Sequence, residues 1–261
     1  MISASMAWLS QLKHVETYGS PARDTKEIVA SQVKWDMNRP LVIVPERKVN
    51  YKFACAEAAY IITGQNRIEF IVNNAMKSFA EYGTDDGVWQ AGSYGPPFVD
   101  QVPYVVDVMR QDLYTRQAVI SIWRPRPYKS KDIPCTLTLQ FLVRKDLETG
   151  EDALHTVVNM RSSDVWRGLI YDMFCFSIMS AVVAHYVGVR RLGSGYLHAG
   201  SSHLYNRDAA AAVNVVQQAF EYIQGPTIEV MDVGDMFDWL MGACSLGDRE
   251  DCLIALMGGA E

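Results

Sequence analysis

The chain has 261 residues, 49% of them hydrophobic and 21% charged, a balance that excludes a disordered or low-complexity chain. Its net charge of −6 and isoelectric point of about 5.4 argue against a general nucleic-acid binder, yet leave room for a few local arginines to hold a small anion. The longest apolar run, residues 174–186, is broken by Ser177, Ser180 and His185 and falls short of the ~20 apolar residues of a membrane span. The opening MISASMAWLSQLKHVETYG lacks the basic-then-apolar pattern of a secretory leader.

In chain order, residues 51–63 (YKFACAEAAYIIT) are apolar at helical spacing around one acid, Glu57, and stop at Gly64. Residues 102–113 read as a second helix. Residues 118–123, 136–143 and 156–160 alternate and are rich in β-branched side chains, the pattern of strands. The Pro-rich stretch 123–135 reads as a loop between two of them. Residues 165–187 form a long, mostly apolar helix. Residues 195–198 and 203–205 flank a Gly/Ser turn, 208–223 are Ala-rich and helical, and 226–261 are amphipathic helical pieces. There is no internal repeat, no Gly/Ser linker and no regular βαβ alternation. The expectation is an α+β fold, one domain over residues 1–261, with a mixed or antiparallel sheet covered by helices.

Five cysteines, Cys55, Cys135, Cys175, Cys244 and Cys252, are odd in number and form no CxxC pair. That argues against a zinc site or a disulfide scaffold and suits a reducing cytoplasm. Cys135 stands out because Arg116, Arg124, Arg126, Lys129 and Lys131 lie upstream, and cations favour a reactive thiolate. Its alternative, and the reading kept for the other four, is a small buried hydrophobe. Arg161, Ser162, Ser163 and Asp164 lie between a predicted strand and a predicted helix, where they form either a phosphate cradle or a helix cap. Asp172 and Glu57 sit inside apolar helices, where a carboxylate needs an arginine partner or a ligand. His203 and Tyr205 alternate along one strand and so share a face, suited to a sugar or to core packing.

Four segments, in order, resemble thymidylate synthase and its nucleotide-hydroxymethylating relatives. IPCTLTLQF (133–141) is similar to the family's nucleophile segment, Pro-Cys with Gln five residues on. RSSDVWRGLIYD (161–172) resembles its Arg-Ser-x-Asp-Val-x-x-Gly-x-x-x-Asn segment, GSSHLYNRD (200–208) its Gly-x-x-His-x-Tyr segment, and YTRQAVISIW (114–123) its Ser-Arg-Arg strand. KFACAEAAYIITG (52–64) and Tyr94-Gly95 add weaker matches. The resemblance implies the family's α+β fold, with the sheet packing at a dimer interface and sites shared across the homodimer. It implies Cys135 as the thiolate that adds to C6 of a pyrimidine nucleoside monophosphate, and Arg161 and Ser162 as holders of the 5′-phosphate. Arg116 would reach the partner's phosphate site, and Arg23 matches an N-terminal phosphate arginine. His203 and Tyr205 would hold the sugar, Glu57 would organise water and proton transfers, and Asp164, Gly168 and Tyr94 would line the base and folate region. The implied co-substrate is 5,10-methylenetetrahydrofolate, with no metal, no nucleic acid and no membrane, in the cytoplasm.

Two departures from the family pattern narrow the expectation. The family's base-reading Asn is Asp172 here. An amide serves the O4 and N3–H of uracil, whereas cytosine offers N4–H₂ and an unprotonated N3, which a carboxyl group can serve. This points to the subgroup of deoxycytidylate and cytidylate hydroxymethylases, which the stretch VVNMRSSDV (157–165) also resembles. Gln117 replaces the second arginine of the Arg-Arg pair, a loss that Arg124, Arg126 or a lysine of 129–131 would offset. The ending DCLIALMGGAE lacks the family's closing tail, and the expectation drawn from it is a reaction finished by water. A methylating synthase and a catalytically silent nucleotide-binding relative are the alternatives.

Overall fold

The computed structural model describes residues 2–83, 87–125, 132–147, 149–218, 225, 227–246 and 248–257. The chain opens with α1 (Ala4–Tyr18), β1 (Ser20–Ala22) and β2 (Thr25–Asp36), then α2 (Tyr51–Ile62), α3 (Ile68–Asn74) and α4 (Gly95–Gln111). It continues with β3 (Val119–Ser121), β4 (Thr136–Lys145), β5 (Asp152–Asp164), α5 (Leu169–Val187) and β6 (Arg191–Tyr205). It closes with α6 (Asn206–Gln218), α7 (Val233–Ser245) and α8 (Arg249–Leu256). The six strands form one mixed sheet in the order β1-β2-β6-β5-β4-β3, parallel only between β5 and β6. One sheet face is covered by α1 and α5, and α2 and α4 pack on the far side of α5. The α+β architecture with a mixed sheet covered by helices is therefore as expected.

α2 forms where the periodicity placed it. The Asn50 side chain accepts from the Phe53 N–H at 3.1 Å, capping its start, and Gly64 follows its end with φ +72°. α5 is apolar on every side because it is central: Phe174, Phe176, Ile178 and Val182 are all buried. The whole helix is longer than the run seen in sequence, and by length and composition it could cross a membrane. It instead lies largely buried against protein. Its two serines return their hydroxyls to the helix carbonyls of Met173 (2.7 Å) and Phe176 (2.6 Å). Ser177 also accepts from the Trp35 indole, and Ser180 shares a hydrogen bond with Thr156.

Several boundaries differ from the sequence reading, each for a tertiary reason. α1 and β2 were not anticipated. β2 alternates poorly in sequence because Ala30, at φ +57°, interrupts it and Val29 points to solvent. The Gly/Ser segment 199–202 is continuous strand, not a turn, because β6 is a central strand paired on both sides. Residues 161–164 are the last residues of β5, not a helix start, since Ser162, Ser163 and Asp164 pair with Ser201, Ser202 and His203. α5 consequently begins at Leu169, after a turn in which Asp164 Oδ1 accepts from the N–H groups of Trp166 and Arg167. α4 starts seven residues earlier than expected and β3 is shorter than 118–123. The 208–223 and 226–261 readings hold as helices α6, α7 and α8; residues 219–224, 226, 247 and 258–261 lie outside the described residues.

At one level of the sheet, Ala30, Gly200 and Arg161 all drop out of the pairing ladder. A Cβ on Gly200 would stand 2.9 Å from the Arg161 carbonyl oxygen, a backbone atom that cannot step aside. Gly200→Ala is therefore expected to destabilise the protein by about 1–3 kcal/mol. Gly242→Ala, in α7 where a Cβ meets nothing within 4 Å, should add up to about 1 kcal/mol. Urea unfolding of the two variants beside the parent checks both signs.

Candidate active site

Cys135 immediately precedes β4, and two neighbouring residues of β5 hold it in place. The Cys135 carbonyl accepts from the Arg161 N–H at 2.8 Å. Ser162 Oγ donates to Cys135 Sγ at 3.5 Å. The Arg161 guanidinium wraps the same turn: Nε donates to Pro134 O (3.1 Å), Nη2 to Ile133 O (3.0 Å) and Nη1 to Ser162 Oγ (3.1 Å). Burial pushes the Cys135 thiol above its ordinary range; the Ser162 hydrogen bond and the Arg161 charge pull it back, while Asp172 and Asp132 push it further up. Asp132 is itself tied to the turn before α4, accepting from Gly92 N–H at 2.7 Å.

Opposite the cysteine stands an acidic wall. Asp172 is in the first turn of α5, Glu57 is in the middle of α2, and Tyr94 caps the start of α4 with its ring stacked on Phe176 at 6.4 Å. Burial raises the Asp172 carboxyl well above the carboxylate range, and Glu57 and then Asp164 add to the rise. Burial lifts Glu57 to about 7, and a hydrogen bond from Cys175 Sγ to Oε2 (3.7 Å) opposes it. Tyr94 is raised by burial and by the charges of Asp172, Cys135 and Glu57. Cys135, Tyr94, Glu57 and Asp172 thus feel one another across one space, and all four remain partly accessible, the combination expected of side chains lining a concave site. Among the described residues, the arginine partner considered for the two acids is not found: no ion pair there involves Glu57 or Asp172.

The third wall is the end of the parallel pair. Asp164 sits beside His203, and Val165 N–H donates to His203 O at 2.8 Å. The rings of His203 and Tyr205 lie 5.3 Å apart on one face. Arg23, at φ +53° in the β1–β2 turn, is brought to the same end because Thr25 pairs with Tyr205 and Asp24 O accepts from Asn206 N–H. Gly168 keeps the floor open, since a Cβ there would lie 3.3 Å from Asp164 O and 3.4 Å from Asp172 Oδ2.

Not every predicted residue joins this cluster. Arg116 precedes the edge strand β3, where its carbonyl accepts from Gln140 Nε2 (2.8 Å), and its side chain is exposed. Arg124 pairs with Asp100 at 3.4 Å; Arg126, Lys129 and Lys131 lie outside the described residues. Sequence reasoning missed other contributors. Arg47 lies over the Trp166 ring (4.3 Å) and donates to its carbonyl, and Arg167 holds Asp208 through two hydrogen bonds of 2.9 and 2.8 Å. Together they clamp the corner from β5 into α5. No local pattern reveals these contacts, because 119 residues separate Arg47 from its partner. Cys175 is buried as expected, yet it is a hydrogen-bond donor to Glu57 and not an inert hydrophobe. Among the described residues no group of three or more His, Cys, Asp or Glu side chains is arranged to hold a metal ion.

The family model described as thymidylate synthase matches residues 9–248. The chain is also similar to a thymidylate synthase of Francisella philomiragia subsp. philomiragia (strain ATCC 25017), with 20% identity over 249 residues. That match covers 86% of this chain and 88% of the relative.

The Glu57 carboxyl has a consequence for stability. The folded chain keeps its proton up to about pH 7, whereas the unfolded chain releases it near 4.5. Stability therefore falls as pH rises between these values, by at most about 3 kcal/mol, and stays lowered above them. Glu57→Gln should flatten this part of the profile and leave a smaller slope of the same sign from Asp172. Chemical denaturation from pH 5 to 8 measures it; an unchanged slope in the variant would refute a proton held at Glu57.

Proposed function

The chain belongs to the thymidylate synthase family, and on that premise we propose that it converts a cytidine monophosphate, dCMP or CMP, to its 5-hydroxymethyl derivative, with 5,10-methylenetetrahydrofolate as co-substrate and water as the last reactant. Membership makes it a folate-dependent one-carbon transferase acting on pyrimidine nucleotides. The choice of cytosine and of hydroxymethylation is our own reading, and the observation that carries it is Asp172. This acid faces the cysteine across the cleft, with no cation in the described ion pairs and with burial favouring its protonated form.

A carboxyl group in that state donates O–H to an unprotonated ring nitrogen and accepts from an amino group, which matches cytosine N3 and N4–H₂ edge to edge. When the Cys135 thiolate adds to C6, electrons move toward N3, and Asp172 can follow with its proton. Uracil already carries a proton at N3, so the same acid gains less there. The addition leaves C5 nucleophilic. Methylenetetrahydrofolate, when bound, would supply the one-carbon unit at the formaldehyde level to C5, its C–N bond breaking as tetrahydrofolate leaves. Glu57, poised near neutrality, takes the C5 proton and orients the water that completes the hydroxymethyl group. Expulsion of Cys135 restores the thiol, whose raised proton affinity suits it as the resting form.

The remaining assignments follow the walls of the site. Arg161 and Ser162 hold the 5′-phosphate, with Arg23 at the same end of the sheet. His203 and Tyr205 take the sugar, and Asp164, Gly168 and Tyr94 line the base and folate region. We take the enzyme to be a homodimer in which Arg116, on the edge of the sheet and away from its own cluster, reaches the phosphate site of the second copy. We take residues 1–261 as one domain, in keeping with a single apolar core that includes both Ala4 and Leu256.

Product mass tests the proposal. Protein incubated with methylenetetrahydrofolate and, separately, dCMP, CMP and dUMP should add one CH₂O to a cytidine nucleotide. Addition of one CH₂ would instead establish a methylating enzyme, the activity named for the Francisella relative. Nucleotide binding with no new product would identify a silent relative. Cys135→Ser is expected to lower turnover by on the order of 10³-fold or more. Asp172→Asn should shift the cytosine-over-uracil preference by about tenfold or more toward uracil, read as the ratio of kcat/KM values.

A further inference from the structure

We propose that Cys175 is a positioning residue for Glu57: its thiol holds one carboxyl oxygen of that acid, orients the other toward the pyrimidine, and keeps the group able both to take and to give a proton. The inference deepens the reading of Glu57 given above and rests on it for the identity of the reaction.

Three observations carry it. Cys175 Sγ donates to Glu57 Oε2 across the α2–α5 packing at 3.7 Å, within reach of a sulfur donor. Cys175 lies three residues after Asp172, so the two share one helix face; the same stripe of α5 therefore presents both Asp172 and the partner of Glu57. Finally, among the described residues no cation pairs with Glu57. Its charge is felt by Tyr60 on its own helix, Tyr94 on α4, and Tyr171 and Asp172 on α5, all acidic groups, while the side chain that acts back on it is the Cys175 thiol. From α7 and α8, Cys244 donates to backbone carbonyls and Cys252 lies against Cys55, turned to other partners.

The chemistry of the donor explains why a thiol fits. An arginine or lysine would hold Glu57 permanently ionised, and the group would stop exchanging protons near neutrality. An alanine or valine would leave a desolvated carboxyl with no donor, and it would stay protonated. A thiol is a weak donor, strong enough to orient the carboxylate and too weak to trap its charge. Cys175 is itself buried, which keeps water from replacing it.

Carboxyl-¹³C NMR of glutamate-labelled protein, with the Glu57 signal identified by its loss in Glu57→Gln, measures the titration directly and does not depend on the reaction. Cys175→Ala and Cys175→Val should raise the Glu57 midpoint by roughly one pH unit, and Cys175→Ser should return it to the parent value or below. In the unmodified protein the Raman S–H band of Cys175 should move to lower frequency as Glu57 ionises, a readout that needs no substitution to fold. In turnover, the pH midpoint of kcat should follow the NMR midpoint while the nucleotide KM stays the same. A Glu57 midpoint unmoved in the folded non-donor variants, or a Cys175 S–H band that ignores pH, would overturn the positioning role. A shifted midpoint in a protein that turns over no nucleotide would leave the role standing and reject the reaction instead.

Discussion

The parallel pairing of β5 on β6 continues beyond the level at which both strands leave the ladder, and the site depends on that continuation. Above the break, Met160 pairs with Ala199; below it, Ser162, Ser163 and Asp164 pair with Ser201, Ser202 and His203. Gly200 makes the passage possible, since any side chain there would meet the Arg161 carbonyl. On the other side of β5, Arg161 binds the Cys135 carbonyl through its backbone and the Ile133 and Pro134 carbonyls through its guanidinium. Cys135, its hydroxyl donor Ser162, the Asp164 turn and the His203–Tyr205 pair therefore share one sheet end. Their spacing is set by backbone hydrogen bonds and not by loop conformations, which suits a site that must hold a nucleotide and a second substrate in one geometry.

The electrostatics of that sheet end are unusual for a protein of net charge −6 that is read as binding a phosphate. Among the described residues, positive charge stands at the strand ends, with Arg161 and Arg23, and at the corner into α5, with Arg47 and Arg167. The interior of the cleft holds two carboxyls, a phenol and a thiol, each pushed toward its protonated form chiefly by burial. Like charges set close together resist ionising all at once. The free site therefore stores protons in place of charges.

Much of this was legible in the residues because the chemistry is written in short segments whose order survives folding. Cys135 after a proline, Arg161-Ser162 ahead of Asp164, and His203 alternating with Tyr205 all fall at one sheet end. The strand β4 and the helices α2 and α5 follow from alternation and apolar period. What escaped depends on partners remote in sequence. The segment 199–202 looks like a turn by composition, and only strands on both sides make it a strand. Residues 161–164 look like a helix cap, yet pairing with β6 overrides that local preference. The Arg47–Trp166 stack and the Arg167–Asp208 pair join residues with no shared motif. Cys175 was hidden by its own surroundings, since a thiol between Phe174 and Phe176 is indistinguishable in sequence from ordinary core.

α5 shows how stability and chemistry are divided within one element. It is the central helix, so each polar group on it must find a partner or weaken the fold. Ser177 and Ser180 comply fully, bonding back to helix carbonyls and across to Trp35 and Thr156. Asp172 does not: no described hydrogen bond or ion pair engages its carboxyl, and the favourable dipole of the helix start is outweighed by burial. An apolar residue of similar shape would make a more stable helix there. Cys175, one turn on, satisfies itself only through Glu57, a group equally ill at ease in the core. Of these two positions on α5, Asp172 stands in the site itself and Cys175 reaches it only through Glu57. A carboxyl with no partner among the described residues is free to take one from a ligand, and in its protonated form it can meet both a donor and an acceptor.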